Sequence, residues 1–271
     1  LSAGYDNQWR DFRWATNFTY SWNRNEIIEL AANAVNPVTG EPLNLNKLDI
    51  KGLGKAKYIL KEGGTLGDLY TTSDLRFNDN GYIEVDKNGN LLLTDEGDDI
   101  YLGSVFPDHN LAWRNDFSWK GINLGVLFTA RIGGICYSAT QANMDLYGVS
   151  EASAAARDAG GVWINGRELV DAQKWYQAIG SQSGLPQYYT YSATNIRLQE
   201  LSLGYTLPAK WFRDKMRMTV SFVGRNLWMI YCKAPFDPEI SAATGSNYYQ
   251  NVDYFMLPST RNLGFNIKLQ F

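Results

Sequence analysis

Over the last eleven residues, Arg261 to Phe271, the apolar Leu263, Phe265, Ile267, Leu269 and Phe271 alternate with Asn262, Gly264, Asn266, Lys268 and Gln270. A period of two places each set on its own side of an extended backbone, so the pattern predicts a strand with one apolar and one polar face. Upstream, Phe12, Trp14, Phe18, Tyr20 and Trp22 repeat it, with Thr16 alone breaking the apolar series. Leu111, Trp113, Phe117 and Trp119 form another run, followed by Ile122, Leu124, Val126, Phe128, Ala130 and Ile132. Lys120 and Gly121 between them predict a two-residue hairpin turn. Met216, Met218, Val220 and Phe222 make a further strand. Between Ile196 and Tyr205 the apolar phase slips, from Ile196 and Leu198 to Leu201, Leu203 and Tyr205, which predicts a bulge near Gln199 and Glu200.

The lengths of the connections add a second signal. Walking back from Phe271, a long link (Tyr231 to Ser259) is followed by a short one (Thr206 to Lys215) and a long one (Gly134 to Gln187). The two-residue turn and another long link (Asn78 to Asn110) continue the alternation. A transmembrane β-barrel has short turns at one rim and long loops at the other, its apolar set facing lipid and its polar set the lumen. A soluble sandwich has no reason to collect its long loops at one end. The predicted fold is therefore all-β, an antiparallel transmembrane β-barrel. Two competitors are a secreted β-sandwich binding glycans through surface aromatics and a self-contained eight-stranded barrel, whose strand near Phe12 would pair with that near Phe265. From Asn23 to about Gly64 the parity lapses; an unrecognised strand pair or an inward fold would account for it.

Composition narrows the choice. A mean hydropathy of -0.32 with no long apolar run excludes a helical membrane span and is neutral towards barrel strands, which are half polar. Among 9 Trp and 17 Tyr, Trp119, Trp211 and Phe212 fall beside the short turns, where an interfacial aromatic girdle belongs. A net charge of -3 without a Lys/Arg cluster argues against nucleic acid as a partner. Cys136 and Cys232 are compatible with a disulfide in an oxidising compartment or with two free thiols. The first residue is Leu1, which implies a processed or partial chain whose export signal lies elsewhere.

Catalytic chemistry is absent from the pattern. The single histidine, His109, has no Ser or Cys nucleophile setting near it, and Asp237 and Glu239 flank Pro238 in a loop, where they suit backbone architecture. Gly160, Gly161 and Gly166 lack the strand-to-helix frame of a phosphate cradle. Asp86, Asn88 and Asn90 have the alternate-oxygen spacing that opens a calcium loop, but Leu91 replaces its turn glycine and Gly97 its closing acid; a solvated acidic turn is the alternative. No cofactor is expected. Ligand contacts should come from loop aromatics whose faces stack on sugars or peptide side chains: Trp175, Tyr176, Tyr188, Tyr189, Tyr248 and Tyr249.

Ordered motifs then point to a family. NIRLQELSLGYTLP at 195–208, GRNLWMIY at 224–231, DPE at 237–239 and RNLGFNIKLQF at the end resemble the carboxy-terminal part of SusC/RagA-type TonB-dependent transporters. NRNEIIEL at 23–30 and the block at 103–134 resemble earlier members of the same series. The resemblance implies a 22-stranded barrel in the outer membrane of a Gram-negative bacterium, surrounded by its lipids and importing glycans or oligopeptides. Residues 1–271 would supply roughly its last seven or eight strands, joined to the remainder of the same barrel. It further implies a SusD-like surface lipoprotein as lid and energy from TonB, through plug and TonB-contacting segments that nothing in this chain matches.

Overall fold

The computed structural model describes residues 1–31, 34–43, 45–94, 97–213, 215–240 and 249–271. In chain order, β1 (Ser2–Trp9) and β2 (Phe12–Trp22) precede the shorter β3 (Lys47–Leu53), β4 (Ala56–Lys61), β5 (Asp68–Thr71) and β6 (Ile100–Ser104). Next come β7 (His109–Trp119), β8 (Ile122–Ile132), β9 (Ile135–Ser138), α1 (Ala139–Leu146) and α2 (Glu151–Asp158). The hairpin of β10 (Val162–Ile164) and β11 (Glu168–Val170), α3 (Ala172–Ile179) and β12 (Thr190–Ser192) follow. Last are β13 (Asn195–Thr206), β14 (Arg217–Cys232), β15 (Val252–Asp253) and β16 (Asn262–Gln270).

Seven long strands form one sheet in the order β1-β2-β7-β8-β13-β14-β16, every neighbouring pair antiparallel. Register carries the alternation from strand to strand, because directly opposed residues share a face. One row runs Trp9, Phe12, Trp119, Ile122, Tyr205, Val220, Ile267, and the next runs Trp14, Phe117, Leu124, Leu203, Phe222, Phe265. The result is a continuous apolar face. It stays open: Phe265 is 80% exposed and Leu263 and Trp228 are each 62% exposed.

Thr16 and Asn115, directly opposed on that face, explain the one break in the apolar series. Asn115 Oδ1 accepts the Trp14 indole N–H at 3.1 Å, and Thr16 Oγ1 accepts that of Trp113 at 3.0 Å. The polar pair satisfies two ring donors that the apolar surroundings leave without other partners. At the predicted hairpin, Lys120 and Gly121 both have positive φ, 46° and 91°, as a primed two-residue turn requires. The predicted bulge is also present, since β13 shifts register between Leu198 and Glu200 against both β8 and β14.

Three expectations are corrected. The lapse in parity disappears because 23–64 is part of a single long link, 23–108, that leaves and returns at the same rim; Asn23 N–H donates to Asp108 O at 3.2 Å. That link carries its own four-stranded sheet, β3-β4-β5-β6. The sandwich competitor fails because, among the described residues, no second sheet covers the apolar face, where Trp228 and Phe265 stay exposed. The self-contained barrel fails because β1 and β16 are the sheet's two edges and do not pair with each other.

All the short links, at residues 10–11, 120–121 and 207–216, now lie at one end, and the long links 23–108, 133–194 and 233–261 at the other. The long links share a core that resembles a soluble domain's. Tyr58, Leu69, Leu75 and Val105 from the first, Tyr137, Ala139, Ile179 and Leu185 from the second and Val252 from the third join in one cluster. Side-chain caps begin the helices: Ser138 for α1, Ser150 for α2 and Asp171 for α3, each accepting from a backbone N–H within the first turn.

Candidate functional site

The polar face of the sheet carries a chain of charges. Asp6 on β1 pairs with Arg13 on β2. Arg114 on β7 binds Asp116 through Nε and Nη2 at 2.8 and 3.0 Å. Glu200 on β13 bridges Arg114 (3.4 Å) and Arg225 on β14 (3.0 Å). Gly125 on β8 makes room for this network: a Cβ there would meet Ser202 Oγ at 2.5 Å and Asp116 Oδ1 at 2.9 Å. Signs alternate along the chain, so the groups compensate one another on an otherwise polar wall.

Nearer the long links, Arg197 is the centre of a buried clasp. Its side chain is 5% exposed, and Nη1 and Nη2 bind Asp237 at 3.2 and 2.8 Å, a fork-on-carboxylate arrangement. Glu239 adds a contact at 3.2 Å, while Asn195 and Asn226 accept from Nε and Nη1 at 3.3 Å. Burial tends to raise the Asp237 carboxyl, but hydrogen bonds from Arg197, Ser259 and the Glu239 N–H outweigh it and hold the group below its ordinary value. The DPE segment therefore has the architectural role expected of it, with Pro238 fully buried beside the clasp. Its principal partner is an arginine on β13, two strands back in chain order, which sequence reasoning missed. The available signal was an Arg at a polar position of a patterned strand.

The predicted ligand-contact aromatics separate. Trp175 and Tyr188 meet edge to face at 6.0 Å, and Tyr188 is 37% exposed. Trp175 and Tyr176 pack partly buried against the shared core. Tyr189 is only 2% exposed, its hydroxyl raised well above the ordinary tyrosine value by burial, so its ring is core and not surface. Tyr249 is half-buried, and Tyr248 lies outside the described residues.

Asp86, the first residue of the candidate calcium loop, closes a tight turn. It accepts from the Asn88 and Asn90 N–H groups at 2.7 and 2.8 Å and from Asn90 Nδ2 at 2.8 Å, and these bonds lower its carboxyl pKa. Lys174 donates to the Asn88 carbonyl, bringing a positive charge to the same turn. Among the described residues no group of three or more His, Cys, Asp or Glu could hold a metal. His109 Nδ1 lies 2.9 Å from the Tyr20 hydroxyl, with the rings stacked at 5.8 Å, a structural use of the imidazole. Cys136 and Cys232 are free thiols, and burial pushes Cys136 up to about 12.

No family model matches the sequence. The chain is similar to TonB-dependent receptor P3 of Formosa agariphila, 23% identical over 287 residues that cover 97% of this chain. TonB-dependent receptor P39 of the same organism is 22% identical over 285 residues, covering 84% of it. The chain spans 27% and 26% of these relatives' length. Its fold matches the RagAB peptide importer in the closed-closed state over the whole chain and 29% of that chain, at 20% identity and a TM-score of 0.62. A second structure, of the RagAB peptide transporter, aligns at 22% identity, also with a TM-score of 0.62, over 28% of its length. These proteins are receptors and importers, not enzymes, in keeping with the absence of catalytic signals in the sequence. By its sequence relatives and its fold, the chain is akin to the carboxy-terminal part of the SusC/RagA-type TonB-dependent transporters.

Proposed function

We propose that the chain is part of the wall and extracellular cap of an outer-membrane importer of bulky nutrients. The observation that carries this reading is the seven-stranded sheet whose apolar face carries the exposed Trp22, Trp119, Leu203, Trp228 and Phe265 while its other face is polar and charged. In water such a face would cost about 25 cal/mol for every Å² left uncovered; in a bilayer lipid covers it. The apolar face then meets lipid, the charged face lines the lumen, and the long links stand outside the cell. Unpaired strand edges are forbidden in lipid, so β1 and β16 take their second neighbours from the remainder of a larger barrel, 22-stranded in the family.

Cargo enters over the long links, under a SusD-like lipoprotein lid, and passes the barrel as TonB draws on a plug supplied by other sequence. Of the two cargo classes, the likeness to a peptide importer favours oligopeptides over glycans. Of the aromatics expected to touch it, Trp175, Tyr176, Tyr188 and Tyr249 keep part of their surface accessible. The test is uptake of a labelled oligopeptide mixture and a labelled glycan mixture by cells carrying the full-length transporter, with and without an uncoupler of the inner-membrane proton gradient. Energy-dependent peptide uptake, lost on deleting the transporter, is expected. Uptake indifferent to both the uncoupler and the deletion overturns the reading.

A further inference from the structure

The short-turn end carries a charge opposite to that of the protein as a whole. Of the 25 Lys and Arg residues and 28 Asp and Glu residues, the three long links hold 13 and 23 respectively. The short links hold Arg10, Lys120, Lys210, Arg213 and Lys215 against Asp11 and Asp214. All five cations are exposed. None forms an ion pair among the described residues.

The same end has aromatic side chains on the apolar face. Trp9 and Phe12 stack at 6.1 Å, and Trp9, Trp119 and Trp211 are 48%, 52% and 69% exposed. Lys120 Nζ sits 5.5 Å over the Trp119 ring, joining the cation to the aromatic band directly. The turn bearing Lys210, Arg213 and Lys215 is folded into place: Ala209–Phe212 forms a 3-10 helix, and the Arg213 and Lys215 N–H groups donate back to the Lys210 and Phe212 carbonyls.

We infer that this basic, aromatic rim binds the anionic phospholipid headgroups of the leaflet it faces. Ammonium and guanidinium groups supply charge and donors to phosphates, while the rings below them sit among the upper acyl chains. The cations are spread over three separate turns, at residues 10–11, 120–121 and 207–216. That spacing fits an extended anionic surface and not one soluble phosphate. The inference rests on the proposed placement of the sheet in a bilayer.

The experiment uses the full-length transporter, stripped of lipid in a zwitterionic detergent and titrated with phosphatidylglycerol or phosphatidylcholine under native mass spectrometry. Preferential retention of phosphatidylglycerol is expected. It should weaken about five-fold for each cation removed, reaching about a hundredfold in a Lys210→Gln, Arg213→Gln, Lys215→Gln variant. Lys120→Gln, in a different turn, gives an independent single step, and Lys87→Gln with Lys233→Gln at the loop end leaves retention unchanged. Equal retention of both lipids, full retention by the triple variant, or equally tight capture of glycerol phosphate or an acidic peptide overturns the inference. Migration of the unboiled protein as a compact band in detergent gels reports barrel formation separately, so loss of that band in the unsubstituted transporter sinks the bilayer placement instead.

Discussion

Arg197 couples the wall to the third long link through one guanidinium, and the neighbouring charges make the coupling sensitive to both mutation and acid. Arg197→Ala leaves Asp237 buried without its counter-charge, a change that costs about 3–5 kcal/mol. Limited proteolysis should then cut within 233–261 at protease levels that leave the unsubstituted link intact. Because the folded Asp237 carboxyl lies below its ordinary value, its contribution is fully present above the unfolded-state value near 4 and is lost as pH falls through the lowered one. The clasp should therefore survive mild acidification and open only in stronger acid. Asp237→Asn should remove that acid step; an unchanged proteolysis profile against pH in this variant would disprove the assignment.

For single elements, β16 gives the sharpest test, since its apolar residues run along the strand at different depths. Leu269 pairs with Met218 near the short turns, and Phe265 pairs with Phe222 two rows further in. Lysine at Phe265 should cost up to about 2–4 kcal/mol, whereas lysine at Leu269 should cost far less because its ammonium reaches the headgroups. The fraction of inserted barrel on unboiled gels measures both, and equal effects would contradict the depth order. Replacing Phe271 with Ser should lower the amount inserted while sparing transport by the molecules that do assemble, a difference visible when uptake is normalised to surface protein.

Across the whole molecule, the long links act as one body and not as three flaps. Asn251 of the third link donates from Nδ2 to Val105 O of the first at 2.6 Å and to Ile135 O of the second at 3.2 Å. Ser138 Oγ donates to Asp253 Oδ2 at 2.7 Å, and β15 runs parallel to β9. Asn251→Ala leaves the buried Val105 carbonyl short of a donor, at a cost of about 1–3 kcal/mol, and removes the partner of the part-buried Ile135 carbonyl as well. Hydrogen exchange should then rise together in all three links; a rise confined to the third would show that they open independently.

The strands of the sheet could be read directly wherever alternation was strong, because one apolar and one polar face impose a period of two along β2, β7, β8, β13, β14 and β16, interrupted at Thr16, Asn115 and the β13 bulge. β1 escaped the reading: its sequence, SAGYDNQW, places only Ala3, Tyr5 and Trp9 in apolar register, and Asn7 interrupts them. The bulge at Gln199 and the turn at Lys120 and Gly121 were equally legible, being local events with local signatures. The long links were not, since their core draws Tyr58, Tyr137 and Val252 from three distant segments that carry no common period. Their short strands pair through contacts that sequence spacing does not encode. Tyr189 looked like its neighbour Tyr188, and only packing decided that one ring is buried and the other exposed. The partner of Asp237 was likewise fixed by tertiary structure, because a buried carboxylate needs a counter-charge and chain order does not say which arginine the fold will bring to it.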